Sequence, residues 1–101
     1  MKKTLYTEQQ QTLLAALREA RNAAGLSQAE VAERLHSTQS DVSKCERGVR
    51  RLDVIELHAW CNALGIQFMD FSRDLDFRFG AIADRHVHKI GRRSRESLKK
   101  P

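Results

Sequence analysis

Apolar residues in this 101-residue chain fall into blocks with helical spacing, separated by short polar segments. In the first block Leu13, Leu17, Ala20 and Ala24, with Leu14 beside them, make the stripe of a helix buried along one side. Thr7 followed by Gln10 has the form of a capping box and Gly25 that of a helix stop, so the pattern predicts a helix from about Glu8 to Ala24. The second block is broken in the middle. Val31 and Leu35, then Val42 and Cys45, form two short stripes, and Ala32 is small where one helix must cross closely over the other. Ser27 with Glu30, and Thr38 with Asp41, supply a cap for each half. In the third block Val54, Leu57, Cys61 and Leu64 form the inner stripe of a helix that starts near Asp53 and ends at Gly65, with Ile55 and Trp60 flanking it, partly exposed. Phe68, Phe71 and Leu75 predict a fifth helix from Phe68 to about Asp76.

After that the period changes. Leu75, Phe77 and Phe79 alternate with charged residues, as does Val87 with His86 and His88, which is strand spacing. A small hairpin of Phe77–Phe79 against Arg85–Ile90 and a longer fifth helix both fit. The surplus apolar residues Phe71, Leu75, Phe77 and Phe79 exceed what a minimal five-helix domain needs, and a dimer contact is their expected use. The expected organisation is an N-terminal arm over residues 1–7, an all-α five-helix domain over 8–80, and a basic C-terminal extension over 81–101. Gly91 to Pro101 lacks any apolar period and is expected to be disordered.

The broken second block, SQAEVAERLHSTQSDVSKCERG from Ser27 to Gly48, is the centre of the chain. Two short capped helices joined by a tight turn leave Gln39, Ser40, Ser43, Lys44 and Arg47 on the outer face of the second. Amides, hydroxyls and cations on such a face suit the edges of base pairs in a major groove, and the pair reads as a helix-turn-helix. It resembles the Cro and phage-repressor type, the xenobiotic-response-element (XRE) family of bacterial regulators. The residues that carry the resemblance are LSQAEVA at Leu26–Ala32, SKCERG at Ser43–Gly48 and the RRLDV run that begins at Arg50, and it extends over roughly Leu13 to Leu75. His36 stands where the family usually has glycine in the turn, and Ser37 where an apolar residue usually follows. Histidine tolerates a left-handed backbone better than most side chains, and Ser37 can add to the capping of the next helix.

The resemblance implies roles. Gln28 matches a position that contacts phosphate and braces the next glutamine. Thr38, the cap, is also an expected DNA contact; Gln39 and Ser40 after it would reach base edges, with Lys44 one turn on donating to guanine or phosphate. Ser43 and Arg47 are expected phosphate contacts, and Arg50 and Arg51 lie in a loop that follows the backbone in relatives. Arg21 and Glu46 correspond to an ion pair that fixes the recognition helix. The expected ligand is double-stranded DNA at a palindromic operator, bound by a homodimer that acts as a repressor. The alternative is an antitoxin, or another protein-interaction module with a partner such as a toxin, whose DNA binding is autoregulatory.

Charge supports a nucleic-acid partner through its distribution more than its total. Arg85 to Pro101 holds seven Lys/Arg and one Glu, a charge of +6, while Met1 to Asp84 holds eleven against twelve, a charge of −1. Within that near-neutral body Lys44, Arg47, Arg50 and Arg51 cluster with only Glu46 opposing them. The composition argues against other classes. No apolar run approaches the length of about 18 residues of a membrane span, and no secretory leader is present, so a cytoplasmic, nucleoid-associated protein of bacterial or phage origin is expected. Cys45 and Cys61 occupy inward positions and read as buried thiols. No phosphate-binding glycine loop, metal-ligand set or nucleophile–histidine–acid grouping marks an enzyme. The pair His86 and His88 lacks a supporting cysteine or carboxylate cluster, so no metal and no cofactor is expected.

Overall fold

The computed structural model describes residues 5–86, which form five helices: α1 (Leu5–Ala23), α2 (Gln28–Arg34), α3 (Gln39–Glu46), α4 (Val54–Leu64) and α5 (Phe68–His86). No strand occurs among the described residues. Leu17, Val31, Val42, Cys45 and Cys61 are the most deeply buried side chains, and Ala16, Ala32, Trp60, Leu64, Phe71 and Leu75 close around them. One core therefore takes a contribution from every helix.

The first four helices end alike. In each, a left-handed residue follows the last turn: Gly25, His36, Gly48 and Gly65, with φ of 72°, 56°, 79° and 76°. The amide after it reaches back to a carbonyl five residues earlier: Leu26 to Arg21, Ser37 to Ala32, Val49 to Lys44 and Ile66 to Cys61. Three of these stops use glycine; the helix-turn-helix turn uses His36 and accepts the strain of a side chain at positive φ. Ser37 fills the position that holds an apolar residue at the other three stops. Its hydroxyl donates to Asp41 Oδ2 at 3.1 Å, tying the turn to the first turn of α3. At Gly48 a Cβ would also stand 2.9 Å from Leu14 Cδ1, so a larger residue there would have to displace that methyl as well as adopt the positive φ.

Several expectations need correction. α1 begins at Leu5, so Thr7 lies inside the helix rather than capping it, and Leu5 to Thr7 are not an arm. The cause is at the other end of the chain. α5 runs unbroken to His86, antiparallel to α1, and Glu8 accepts from Arg85 at 3.1 Å and sits 3.1 Å from His86 Nε2. The first turn of α1 thus has a partner that the sequence did not disclose. The same continuity removes the hairpin over Phe77–Phe79 and crosses the expected boundary at residue 80; Val87–Ile90 and the rest of the basic extension lie outside the described residues. Phe71 and Leu75 belong to the core and Phe79 packs against it, so only Phe77 of the four proposed dimer residues is exposed. On α4, Leu57, Cys61 and Leu64 face the core as expected, but Trp60 is buried at 3% exposure while Val54 is 65% exposed, so these two positions exchange roles. The helix is clasped between α2 and α5, which widens its buried face to include Trp60 and Ala63, and Val54 sits at its first position where the side chain escapes to solvent. Ala24 likewise lies past the end of α1 and is exposed.

Candidate nucleic-acid interface

The two helices of the motif are held by local chemistry. Ser27 and Glu30 form a complete capping box on α2, with bonds of 3.1 Å and 2.8 Å. Thr38 Oγ1 accepts from the Asp41 amide at 3.0 Å at the start of α3. The Thr38 hydroxyl oxygen is therefore engaged in capping, although the residue remains at the surface.

Behind α3 lies a buried carboxylate. Glu46 is 2% exposed and accepts from Arg21 Nε at 2.7 Å, Arg21 Nη2 at 3.2 Å and Gln28 Nε2 at 3.0 Å. Arg21 also donates from Nη1 to the Leu26 carbonyl at 2.9 Å. Three helices meet in this cluster, so the last turn of α3 is tied to α1 and to the start of α2. Gln28 turns its amide nitrogen toward Glu46 rather than toward Gln39, so it braces the glutamate that anchors the helix.

The outer face of α3 carries no such ties. Gln39, Ser40 and Lys44 are exposed, Ser40 and Lys44 one turn apart and Gln39 at the first position of the helix, with Arg47 exposed just past its end. Arg47 Nε donates to Ser43 Oγ at 3.2 Å, which aims the rest of its guanidinium outward. Sequence reasoning missed Arg18 on α1. Its Nη1 donates to the Glu46 carbonyl at 3.1 Å, and with Gln11, Gln28, Ser43 and Arg47 it lines a cleft of about 540 Å³ beside the exposed face. Only the contact between α1 and α3 brings Arg18 here, and no motif in the sequence marks it.

Arg51 is exposed, but Arg50 is not free. Its guanidinium bonds Glu56 through Nη2, approaches Asp41 Oδ1 at 3.3 Å through Nε, and donates to Cys45 Sγ at 3.4 Å through Nη1. Glu56 also accepts from the Asp53 amide at 3.0 Å, completing the capping box of α4. That backbone bond, and then Arg50, hold the Glu56 carboxyl below its ordinary range. Glu56 and then Cys45 raise the Arg50 pKa further. Burial pushes the thiols of Cys45 and Cys61 up, so neither is a poised nucleophile.

Among the described residues no group of three or more His, Cys, Asp and Glu is arranged to hold a metal ion, and no helix is long and apolar enough to cross a membrane. His86 is spent on Glu8; His88 lies outside the described residues.

Residues 12–67 match the family described as a helix-turn-helix domain. An XRE-family like protein from Pseudomonas syringae pv. tomato shares 42% identity, with 72% of this chain and 89% of that one aligned at a TM-score of 0.70. The clp gene regulator ClgR from Corynebacterium glutamicum shares 26% identity over 90% of this chain and 94% of its own, at a TM-score of 0.61. No protein of curated function matches.

Proposed function

For a chain that belongs to the helix-turn-helix family, in its XRE-type branch, we propose the work of a DNA-binding transcriptional regulator that reads the major groove with α3. The observation that carries this is the contrast between the two sides of α3: an outer face with Gln39, Ser40 and Lys44 open to solvent, and an inner end anchored by the Arg21–Glu46–Gln28 cluster. A base-reading side chain discriminates only if its backbone is held in place, and this backbone is held. Gln39 has the two-pronged amide that suits adenine, and Lys44 is a donor for guanine or phosphate. Arg47, Ser43, Gln28 and Arg51 act on the phosphates, joined by Arg18 from α1.

One such helix spans only a few base pairs, so the protein works as a homodimer on a palindromic operator with half-sites about 34 Å apart, and the sign of its action is repression. Val49, Val54 and Ile55, exposed at 65%, 65% and 77% beside the end of α3, are the apolar surface best placed for that contact. Phe77 on α5 favours a second reading. It lines a groove of about 690 Å³ between α1 and α5 with Ala15, Ala81 and Ile82, suited to a protein partner such as a toxin.

Binding-site selection tests the assignment. Gln39→Ala should lose preference at one operator position, by roughly 1–3 kcal/mol, while Arg47→Ala should weaken every sequence alike. A Gln39→Ala protein that returns the parent motif at full strength refutes base reading by α3. Sedimentation on operator DNA tests the dimer: one protein per duplex refutes it.

A further inference from the structure

Arg50 sits in the loop after α3, where a cation would ordinarily be assigned to the phosphate backbone. Its surroundings say otherwise. Two carboxylates and a sulfur surround the guanidinium, from three parts of the fold: Asp41 in the first turn of α3, Cys45 in its last, and Glu56 at the start of α4. Asp41 also accepts from Ser37, in the turn whose backbone His36 holds at positive φ, and Glu56 also caps α4. A phosphate approaching Arg50 would meet Asp41 and Glu56 as well, so like charge opposes the contact that the cation would offer. Nη1 and Nη2 each donate to a protein acceptor, and Nε lies 3.3 Å from Asp41 Oδ1.

We propose that Arg50 is a positioning residue: it buckles the turn and both ends of α3 to α4, and sets how the outer face of α3 meets the bases without touching DNA itself. The proposal rests on α3 being the reading helix. It differs from a stabilising role because Asp41 and Cys45 lie on α3 itself, one at each end, so loosening Arg50 lets the helix rock about the Glu46 anchor without unfolding the domain. The ratio of specific to non-specific affinity should register that rocking, whereas total affinity through phosphate should not.

The test compares Arg50→Ala, Arg50→Lys, Glu56→Gln and the Arg50→Ala/Glu56→Gln double variant in the full chain. Glu56→Gln keeps an oxygen for the Asp53 amide, so the α4 cap survives. Each protein is measured on operator and on random duplex over a range of salt, with its melting temperature recorded to confirm folding at the assay temperature. Arg50→Ala and Glu56→Gln should each lower the specificity ratio by roughly threefold to tenfold, and the double variant no further than Arg50→Ala, since Glu56 acts on α3 only through Arg50. Arg50→Lys, which keeps the charge but loses the fork, should fall between parent and Arg50→Ala. The salt slope of Arg50→Ala should equal the parent's. If Arg50 were instead a phosphate contact, its removal would flatten that slope by about 0.9 per subunit with the ratio preserved, and Glu56→Gln would raise non-specific affinity by releasing the cation; either result overturns the proposal. An unchanged ratio and slope also overturns it. Loss of all preference by the parent protein itself would sink the reading function of α3, a separate failure.

Discussion

Removing Arg21 should cost this domain a large share of its stability, because the arginine leaves behind a charge that cannot follow it into water. Glu46 is 2% exposed and has two of its hydrogen bonds from Arg21, at 2.7 Å and 3.2 Å, against one from Gln28 at 3.0 Å. Arg21→Ala strips the counter-charge and both of those bonds, and also leaves the Leu26 carbonyl without its donor. Stranding a buried partner in this way costs roughly 3–5 kcal/mol. A domain of this size has roughly 5–12 kcal/mol in total, and the melting temperature should fall by about 15–30 °C. Urea unfolding followed by circular dichroism at pH 7 measures the difference directly. The double variant Arg21→Met/Glu46→Leu should recover most of the loss, since replacing both charges removes the desolvation problem that the single variant exposes. Recovered stability should not restore operator preference, because α3 would be packed there without the directional bonds that orient it. An Arg21→Ala protein within about 1 kcal/mol of the parent would mean that Glu46 is not stranded, and the account of the anchor would be wrong.

Three further outcomes are expected. His36→Gly should stabilise the domain by up to about 1 kcal/mol, since glycine suits the left-handed turn, whereas Gly48→Ala should destabilise it by more than that because strain and the 2.9 Å contact with Leu14 act together; thermal melts separate the two. Acid should fray α2 and α4 through their caps: Glu30 and Glu56 both titrate below the ordinary value of 4.5, so their contribution is complete above that pH and is lost as pH falls through the lowered folded-state values. Helicity followed down to pH 2 should show this loss, and Glu30→Gln/Glu56→Gln should remove part of it. Deleting residues 91–101, which carry Arg92, Arg93, Arg95, Lys99 and Lys100, should flatten the salt dependence of DNA binding by up to roughly four units per subunit with little change in specificity; an unchanged slope would confine DNA contact to the folded body.

How much of this was legible follows from where each signal lies. α2 and α3 carry caps, stripes and stop within the span of each short helix, so Ser27, Thr38, Val31 and Val42 predict their own surroundings. α5 was harder. Leu75 and Phe79 lie one helical turn apart on its inner side, while Phe77 between them is 75% exposed, and an exposed phenylalanine between two inward residues imitates a strand. Trp60 could not be placed from a single stripe because α4 is covered from two directions. The surroundings of Arg50 and Arg18 were hidden for another reason. The sequence shows a cation but not its neighbours: Asp41 and Glu56 reach Arg50, and Arg18 reaches the end of α3, only through the packing of the helices. Basic residues around α3 therefore divide into those paired within the fold, such as Arg21 and Arg50, and those left exposed, such as Lys44 and Arg51, and a count of charges cannot divide them.

Trp60 is the only tryptophan of the chain, is 3% exposed, and lines the cleft of about 300 Å³ that also holds His36, Asp41, Arg50 and Glu56. The protein thus contains its own optical reporter at the joint between the helix-turn-helix and α4. Indole emission from so enclosed a site is shifted to the blue and shielded from quenchers in solution. Movement of the Arg50 buckle changes the charges beside the indole without unfolding the core, so emission intensity and quencher access can register a loosened α3 in a protein that circular dichroism still reports as fully helical. Titrating unlabelled operator DNA against that signal would follow the joint itself, with no dye attached to the surface that does the reading.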